Sequence, residues 1–328
     1  MITPRWIGPI ILLAKSCDTE TTAPLPIPMP GADLLIGAVD NHVHTCPHIN
    51  GRSIDVFQTV QQAADAGMRG IGLMDNFANS SGMAALANRH LGHLGVEVFG
   101  GLIMEPTAGG ISADAVRIAL KLGYGAPGDG ARFISLPTHH TRHIAQMENR
   151  PDDYVAACLA IPHSGLLPDP LPEIFDLVAE ADVVLNTGHL SGPEALRIVA
   201  AARKHGVSRI LVPASHYDAA TVTELAAMGA HVEFSFFFVS HATHTGLTHV
   251  DEARNTVPPV LAPQMAALIA AAPMEKVVIS GDCGVFLLPP PVEGLRELLL
   301  LLESCGVPRE DLRRMVGQNI RKLFRVGG

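Results

Sequence analysis

Sixteen histidines in 328 residues make imidazole the first side chain to account for. Two of them, His42 and His44, fall in Asp40-Asn41-His42-Val43-His44. On an extended chain residues i and i+2 point the same way, so this pair can chelate one ion while Val43 faces away. A chain this rich in histidine contains about one H-x-H by chance, so the pair gains weight only if other ligands join it. His189 in Asn186-Thr187-Gly188-His189, His216 in Ala214-Ser215-His216 and Asp282 in Ser280-Gly281-Asp282 each close a short apolar run, as the pair does. Imidazole nitrogens at about 2.0–2.1 Å together with a carboxylate oxygen suit zinc, with a coordination position left for water. Mn, Fe and Ni are alternatives that such a donor set also accepts.

Bringing these residues together is a task for the elements that carry them. From residue 33 onward, short continuously apolar runs alternate with longer helical stretches. The runs Leu34–Asp40, Gly70–Met74, Val96–Met104, Ala131–Leu136, Val183–Asn186, Arg209–Pro213, His231–Phe237 and Lys276–Ser280 read as strands covered on both faces. Helices are expected at Ile54–Ala66 after Ser53, Ala113–Leu122 after Ser112, Pro193–His205 and Ala219–Met228 after Asp218, each stopping at a glycine. Val292–Ser304 and Pro308–Phe324 carry Leu and Met at helical spacing. Eight strand–helix units predict a (β/α)8 TIM barrel, an α/β fold whose chemistry gathers at the C-terminal ends of the strands. A doubly wound sheet is the alternative, but no G-x-G-x-x-G or Walker A sequence follows the first strand. Residues 31–328 are expected to form one barrel domain, preceded by a Pro-rich N-terminal arm at 1–30 rather than an export signal. The long connections at 137–170 and 238–260 are expected to be lids or walls of the site.

Composition narrows the function. A formal net charge of −9, one Trp and three Tyr argue against a phosphate-backbone partner. The longest apolar runs, such as Leu298 to Leu302, fall far short of the ~20 residues that span a bilayer. Five scattered cysteines without a C-x-x-C pair point to a reducing compartment, hence a cytoplasmic protein. Its partner is expected to be a small-molecule substrate, with neither nucleic acid nor membrane involved, and a homo-oligomer is expected from common practice.

At the level of these motifs the chain resembles the amidohydrolase superfamily. The residues carrying the resemblance are Asp40-Asn41-His42-Val43-His44, His189, His216 and Asp282, with Met315-Val316-Gly317-Gln318-Asn319-Ile320-Arg321-Lys322-Leu323-Phe324 similar to the Asn-containing terminal helix of many members. The resemblance spans about residues 34–325 and implies that His42, His44 and His189 ligate metal. It also implies that His216 is a ligand or proton shuttle and Asp282 a ligand and base. Binuclear members often place a carbamylated Lys or a Glu at the end of strand four. This chain has Thr138-His139-His140 there, followed by His143, which favours one ion over two. Met74 and Phe77, with Asp75 and Asn76 between them, occupy strand-two positions where other uncharacterised barrels carry Lys and His.

Other polar residues divide between chemistry and structure. Glu105 is either a bridging carboxylate or a loop cap, and Asp75 a ligand or, preferred, a cap. One of His139, His140 and His143 is expected to reach the site as second-metal or substrate contact, whereas His241, His244 and His249 read as a solvated loop. Phe234, Phe236, Phe237 and Phe238 read as core, with at least one available to wall a pocket; Cys46 and Cys283 read as packing. Asp40 is placed to hydrogen-bond a ligand imidazole. The resulting expectation is a metal-dependent hydrolase using metal-activated water on an amide, cyclic amide, lactone or related ester, with Asp282 as base and His216 either a ligand or the group stabilising the oxyanion. No G-x-S-x-G nucleophile elbow competes with it. The alternatives are a metal-dependent decarboxylase on the same barrel, a phosphoesterase of the polymerase-and-histidinol-phosphatase type, and a non-catalytic metal-binding barrel.

Overall fold

The computed structural model describes residues 29–126, 129–248 and 254–327. Most of the expected arm at 1–30, together with His249, lies outside the described residues. Eight parallel strands follow one another around a barrel in chain order: β1 (Val39–Val43), β2 (Gly70–Leu73), β3 (Glu97–Ile103), β4 (Phe133–Ser135), β5 (Val184–Asn186), β6 (Arg209–Pro213), β7 (His231–Ser235) and β8 (Val277–Ser280). This is the (β/α)8 architecture expected from the alternating runs. Among the described residues no helix is long and apolar enough to cross a membrane.

Local chemistry sets the helix starts. Asp55, with Gln58 three residues on, forms a capping box at Val56–Asp65, two residues beyond the expected start after Ser53. Ser191 and Glu194 do the same for Gly192–Lys204, and Ser112 and Asp218 cap Ala113–Ala119 and Ala219–Ala227 as expected. Such a cap is worth about 1 kcal/mol. The closing helix is not uniform: a π-helical stretch, Arg314–Gln318, separates Arg309–Arg313 from Asn319–Phe324. Asn319 then donates from Nδ2 to Met274 O (2.8 Å) and Val277 O (2.7 Å), tying the helix to the start of β8.

Two buried clusters hold the barrel. The larger fills the space between strands and surrounding helices. The smaller joins Val39, Phe99, Phe133, Val184, Leu211 and Val278 from six strands to Ile320, Leu323 and Phe324 of the last helix. That helix therefore seals one end of the barrel. Its last carbonyls receive guanidinium donors, Arg209 Nη1 to Lys322 O (2.7 Å) and Arg132 Nη1 to Phe324 O (2.8 Å), a favourable pairing with the negative end of the helix dipole.

The first strand departs from expectation. Leu34 belongs to a short 3-10 helix, Ala32–Leu34, and the chain turns through Gly37 before β1 begins at Val39. Leu34 and Leu35 are apolar because they are buried in the larger cluster, not because they extend in the sheet. β1 consequently contains His42 rather than ending before it. Strand β7 likewise stops at Ser235, and Phe236–Val239 forms a 3-10 turn.

Closure between β1 and β8 consists of a few bonds. Asp282 N donates to His42 O and His44 N to Cys283 O, both at 2.8 Å, around a parallel bridge of Val43 with Cys283. Gly281 N donates to the Asp40 carboxylate at 3.0 Å. Gly284 makes this seam sterically possible: its φ is +110°, and a Cβ there would lie 1.6 Å from His44 O. We predict that Gly284→Ala destabilises the fold by at least about 2 kcal/mol in urea denaturation. Gly306→Ala, at φ +91° but with nothing within 4 Å of its added Cβ, should cost only about 1 kcal/mol. Equal losses would mean that the close approach at the seam is unimportant.

Candidate metal centre and cavity

The β1–β8 seam delivers three buried side chains to one point. His44 donates from Nε2 to Asp282 Oδ1 at 3.0 Å, and His42 Nε2 lies 3.3 Å from the same oxygen. One candidate ligand atom from each of His42, His44 and Asp282 lies within 4.8 Å of the others. The edge of a tetrahedron around an ion with bonds of about 2.0–2.1 Å is about 3.3 Å, so the two N···O separations suit a shared divalent cation. Asp282 adopts φ +50°, unusual for a non-glycine residue and held by its backbone bond to His42 O.

A second carboxylate lies against the cluster. Glu233, in β7 and 2% exposed, accepts from Asn41 Nδ2 at Oε1 (2.6 Å), and the same oxygen is 3.6 Å from His42 Nδ1. His42 Nδ1 and Glu233 Oε2 are both buried without a hydrogen-bond partner. A carboxylate beside the distal nitrogen of a ligating imidazole fixes which nitrogen faces the metal. Sequence reasoning missed Glu233. Its signal is a lone carboxylate inside the largely apolar run Val232–Phe238.

Burial and charge oppose each other here. Burial works against the His42 imidazolium, but the charges of Asp282 and then Glu233 outweigh it and raise its pKa to about 9. Burial pushes the Asp40 carboxyl up to about 7, against the N–H groups of Gly281 and His42. The Asp282 carboxyl would also be raised by burial, yet His42 and His44 hold it below the usual range. Burial lowers His44, and it lowers His189 to about 4, leaving that ring neutral and its nitrogens available for coordination.

The cluster opens into a cavity lined by both polar and aromatic side chains. His189 lines this cavity without belonging to the three-residue cluster. His216 is placed elsewhere: its Nε2 donates to Pro258 O at 2.7 Å, its ring stands edge-on to Phe238, and it lines a smaller neighbouring cavity with His143. Of the strand-four histidines, His139 lines the main cavity and accepts at Nε2 from Asn76 Nδ2 (2.8 Å). His140 is directed to Ala157 O and Cys158 instead. Glu105 accepts the backbone N–H of Thr138 and His139 (2.6 Å each) at Oε1 and that of His140 (3.2 Å) at Oε2, so both oxygens hold the β4 loop. Asp75 accepts from Phe77 N and Ala78 N, a turn cap. Asp40 bonds backbone N–H groups rather than an imidazole, because the seam leaves Gly281 N to be satisfied there.

The long connections do form walls. Ile144 and Glu148 from the first and Phe238, Ala242 and Val257 from the second line the cavity, as does Phe237 just before it. Phe234 and Phe236 remain in the core, and Cys283 is buried with Sγ donating to Gly281 O.

Fold and cluster together define a (β/α)8 barrel with a buried His-His-Asp group at the junction of its first and last strands. Solved structures sharing the fold include an amidohydrolase from Pseudomonas aeruginosa, with TM-score 0.57 and 10% identity over 91% of this chain and 99% of that one. A mutant PTE-like lactonase from Deinococcus radiodurans gives TM-score 0.54 and 15% identity over 90% and 97% of the two chains. A TatD homologue from Escherichia coli gives 0.53 and 14% over 89% and 99%. The chain belongs to a family of unknown function, DUF6282, whose model matches residues 37–233. No curated protein matches it by sequence.

We predict that Glu233→Gln weakens zinc binding about 10- to 100-fold, measured by competition with a chromogenic chelator, while the protein remains folded. Unchanged affinity would remove Glu233 from the centre.

Proposed function

We propose that this protein is a metal-dependent hydrolase acting on a small amide, lactone or ester, with zinc as its ion and His42, His44 and Asp282 as ligands. His189, neutral and facing the same cavity, is the fourth candidate. The carrying observation is the buried His42/His44/Asp282 group, whose three residues all line one cavity. Bound there, a divalent ion supplies Lewis acidity, lowering the pKa of water toward about 7 and polarising a carbonyl oxygen.

The chain's own residues do the rest. Asp282 Oδ2 has only a 3.4 Å contact from Ser235 Oγ, so it is placed to accept a proton from water and return it to the departing amine or alcohol. Thr138, Asn76 and His139 form a hydrogen-bonded wall anchored on Glu105, which orients the polar edge of a substrate. Phe237 and Phe238 cover the cavity with apolar surface and exclude bulk water. This reading assigns no proton-transfer role to His216, whose Nε2–H is engaged by Pro258 O.

The test is a panel of esters, lactones and amides offered to zinc-loaded protein, with turnover in ¹⁸O-water. Hydrolysis incorporates one solvent oxygen per turnover, whereas decarboxylation incorporates none. We expect Asp282→Asn to lower kcat/KM about 10²- to 10⁴-fold, with metal content assayed in parallel. Undiminished turnover by that variant would remove Asp282 as the base.

A further inference from the structure

Arg52 is the one Lys or Arg among the described residues lining the cavity, in a chain with net charge −9. Its backbone is fixed: Ser53 N donates to Gly284 O (2.8 Å), Phe286 N to Gly51 O (3.3 Å), and Arg52 bridges Val285. The loop after β1 is thus zipped to the loop after β8, and Arg52 stands beside the same seam that builds the metal centre.

Its side chain is poorly satisfied. Nε is buried with no hydrogen-bond partner. Nη2 lies 2.8 Å from His48 Nε2, but His48 Nδ1 is already 3.0 Å from the Asn50 N–H. A neutral imidazole has one lone pair and serves one of these donors, not both. Burial and the neighbouring Arg52 charge lower His48 to about 4, so neutral is its form. No carboxylate among the described residues pairs with Arg52 within ion-pair distance; Asp75 and Asp282 act on it only from farther away. Burying a charge without a close counter-ion is costly unless a ligand supplies one.

We propose that Arg52 anchors a carboxylate of the substrate, so that the enzyme acts on small amides, esters or lactones bearing a carboxylate beside an apolar body. This rests on the hydrolase reading above and narrows its substrate class. The guanidinium offers a planar fork that pairs two nitrogens with two carboxylate oxygens. Phe77, Phe237, Phe238 and Phe286 supply apolar surface in the same cavity. Arg52 is a binding and specificity residue; it moves no proton.

Benzoate, benzamide and phenylphosphonate are the probes, titrated calorimetrically into the zinc-loaded full chain and into Arg52→Met and Arg52→Lys, with zinc content and thermal melts measured for each. We expect Arg52→Met to weaken benzoate about tenfold to a hundredfold and leave benzamide and zinc content unchanged, with Arg52→Lys restoring part of the loss. Benzoate bound equally by wild type and Arg52→Met, or not bound by wild type at millimolar concentration, overturns the proposal. So does dependence on Arg52 confined to phenylphosphonate. If Arg52→Met does not fold, the same comparison is made with Arg52→Lys, for which unchanged benzoate affinity counts against the bidentate fork. N-acyl amino acids and their carboxamides then separate this claim from the hydrolase reading. Turnover of both at equal kcat/KM sinks the anchor alone, whereas benzoate discrimination without turnover of any ester, lactone or amide sinks the hydrolase reading alone.

Discussion

The structure turns on how a barrel closes. Its first and last strands meet through two backbone hydrogen bonds and one carboxylate that takes the place of a third acceptor. The backbone atoms that make those bonds belong to His42, His44, Asp282 and Cys283. Closing the barrel and assembling the centre are therefore one event, and residues 238 positions apart arrive within hydrogen-bond distance because the fold has no other way to end. Gly284 permits the approach and Asp282 accepts an unfavourable φ to complete it.

That geometry concentrates acidic groups where water is scarce. Asp40, Glu233 and Asp282 are all buried within a few residues of the seam. Asp40 is satisfied by peptide N–H groups, but Glu233 and Asp282 face imidazoles whose remaining nitrogens lack partners. A cation held between the rings and Asp282 would offset this charge and order the imidazoles together, with Glu233 beside His42 Nδ1 fixing the tautomer. Arg52 continues the pattern beside the same seam with the opposite sign, a partly buried cation whose Nε lacks an acceptor.

How much of this the chain reveals by itself depends on whether a residue's role is set by its own strand. The pair His42/His44 and Asp282 are legible because each lies at or just past a short apolar run, and a parallel barrel brings such ends to one face. Leu34 and Leu35 misled the placement of β1 because burial beneath helices selects the same apolar residues as burial in a sheet. Glu233 and Arg52 escaped because their neighbours are set by the register of β7 and by pairing between the loops after β1 and β8, neither of which leaves a local pattern. His216 has the expected position at a strand end, but its ring is turned to Pro258 by the return of a long loop, which periodicity does not describe. Glu105 was ambiguous for a similar reason: only the fold of the β4 loop shows both oxygens occupied by peptide N–H groups.

The central claim is that a divalent cation sits between the first and last strands. Anomalous diffraction from crystals grown with zinc, collected on both sides of the absorption edge, tests it directly. The account predicts one strong peak within bonding distance of His42 Nε2, His44 Nε2 and an Asp282 oxygen. An anomalous map with no peak there, from protein that binds zinc only at its surface, would contradict it.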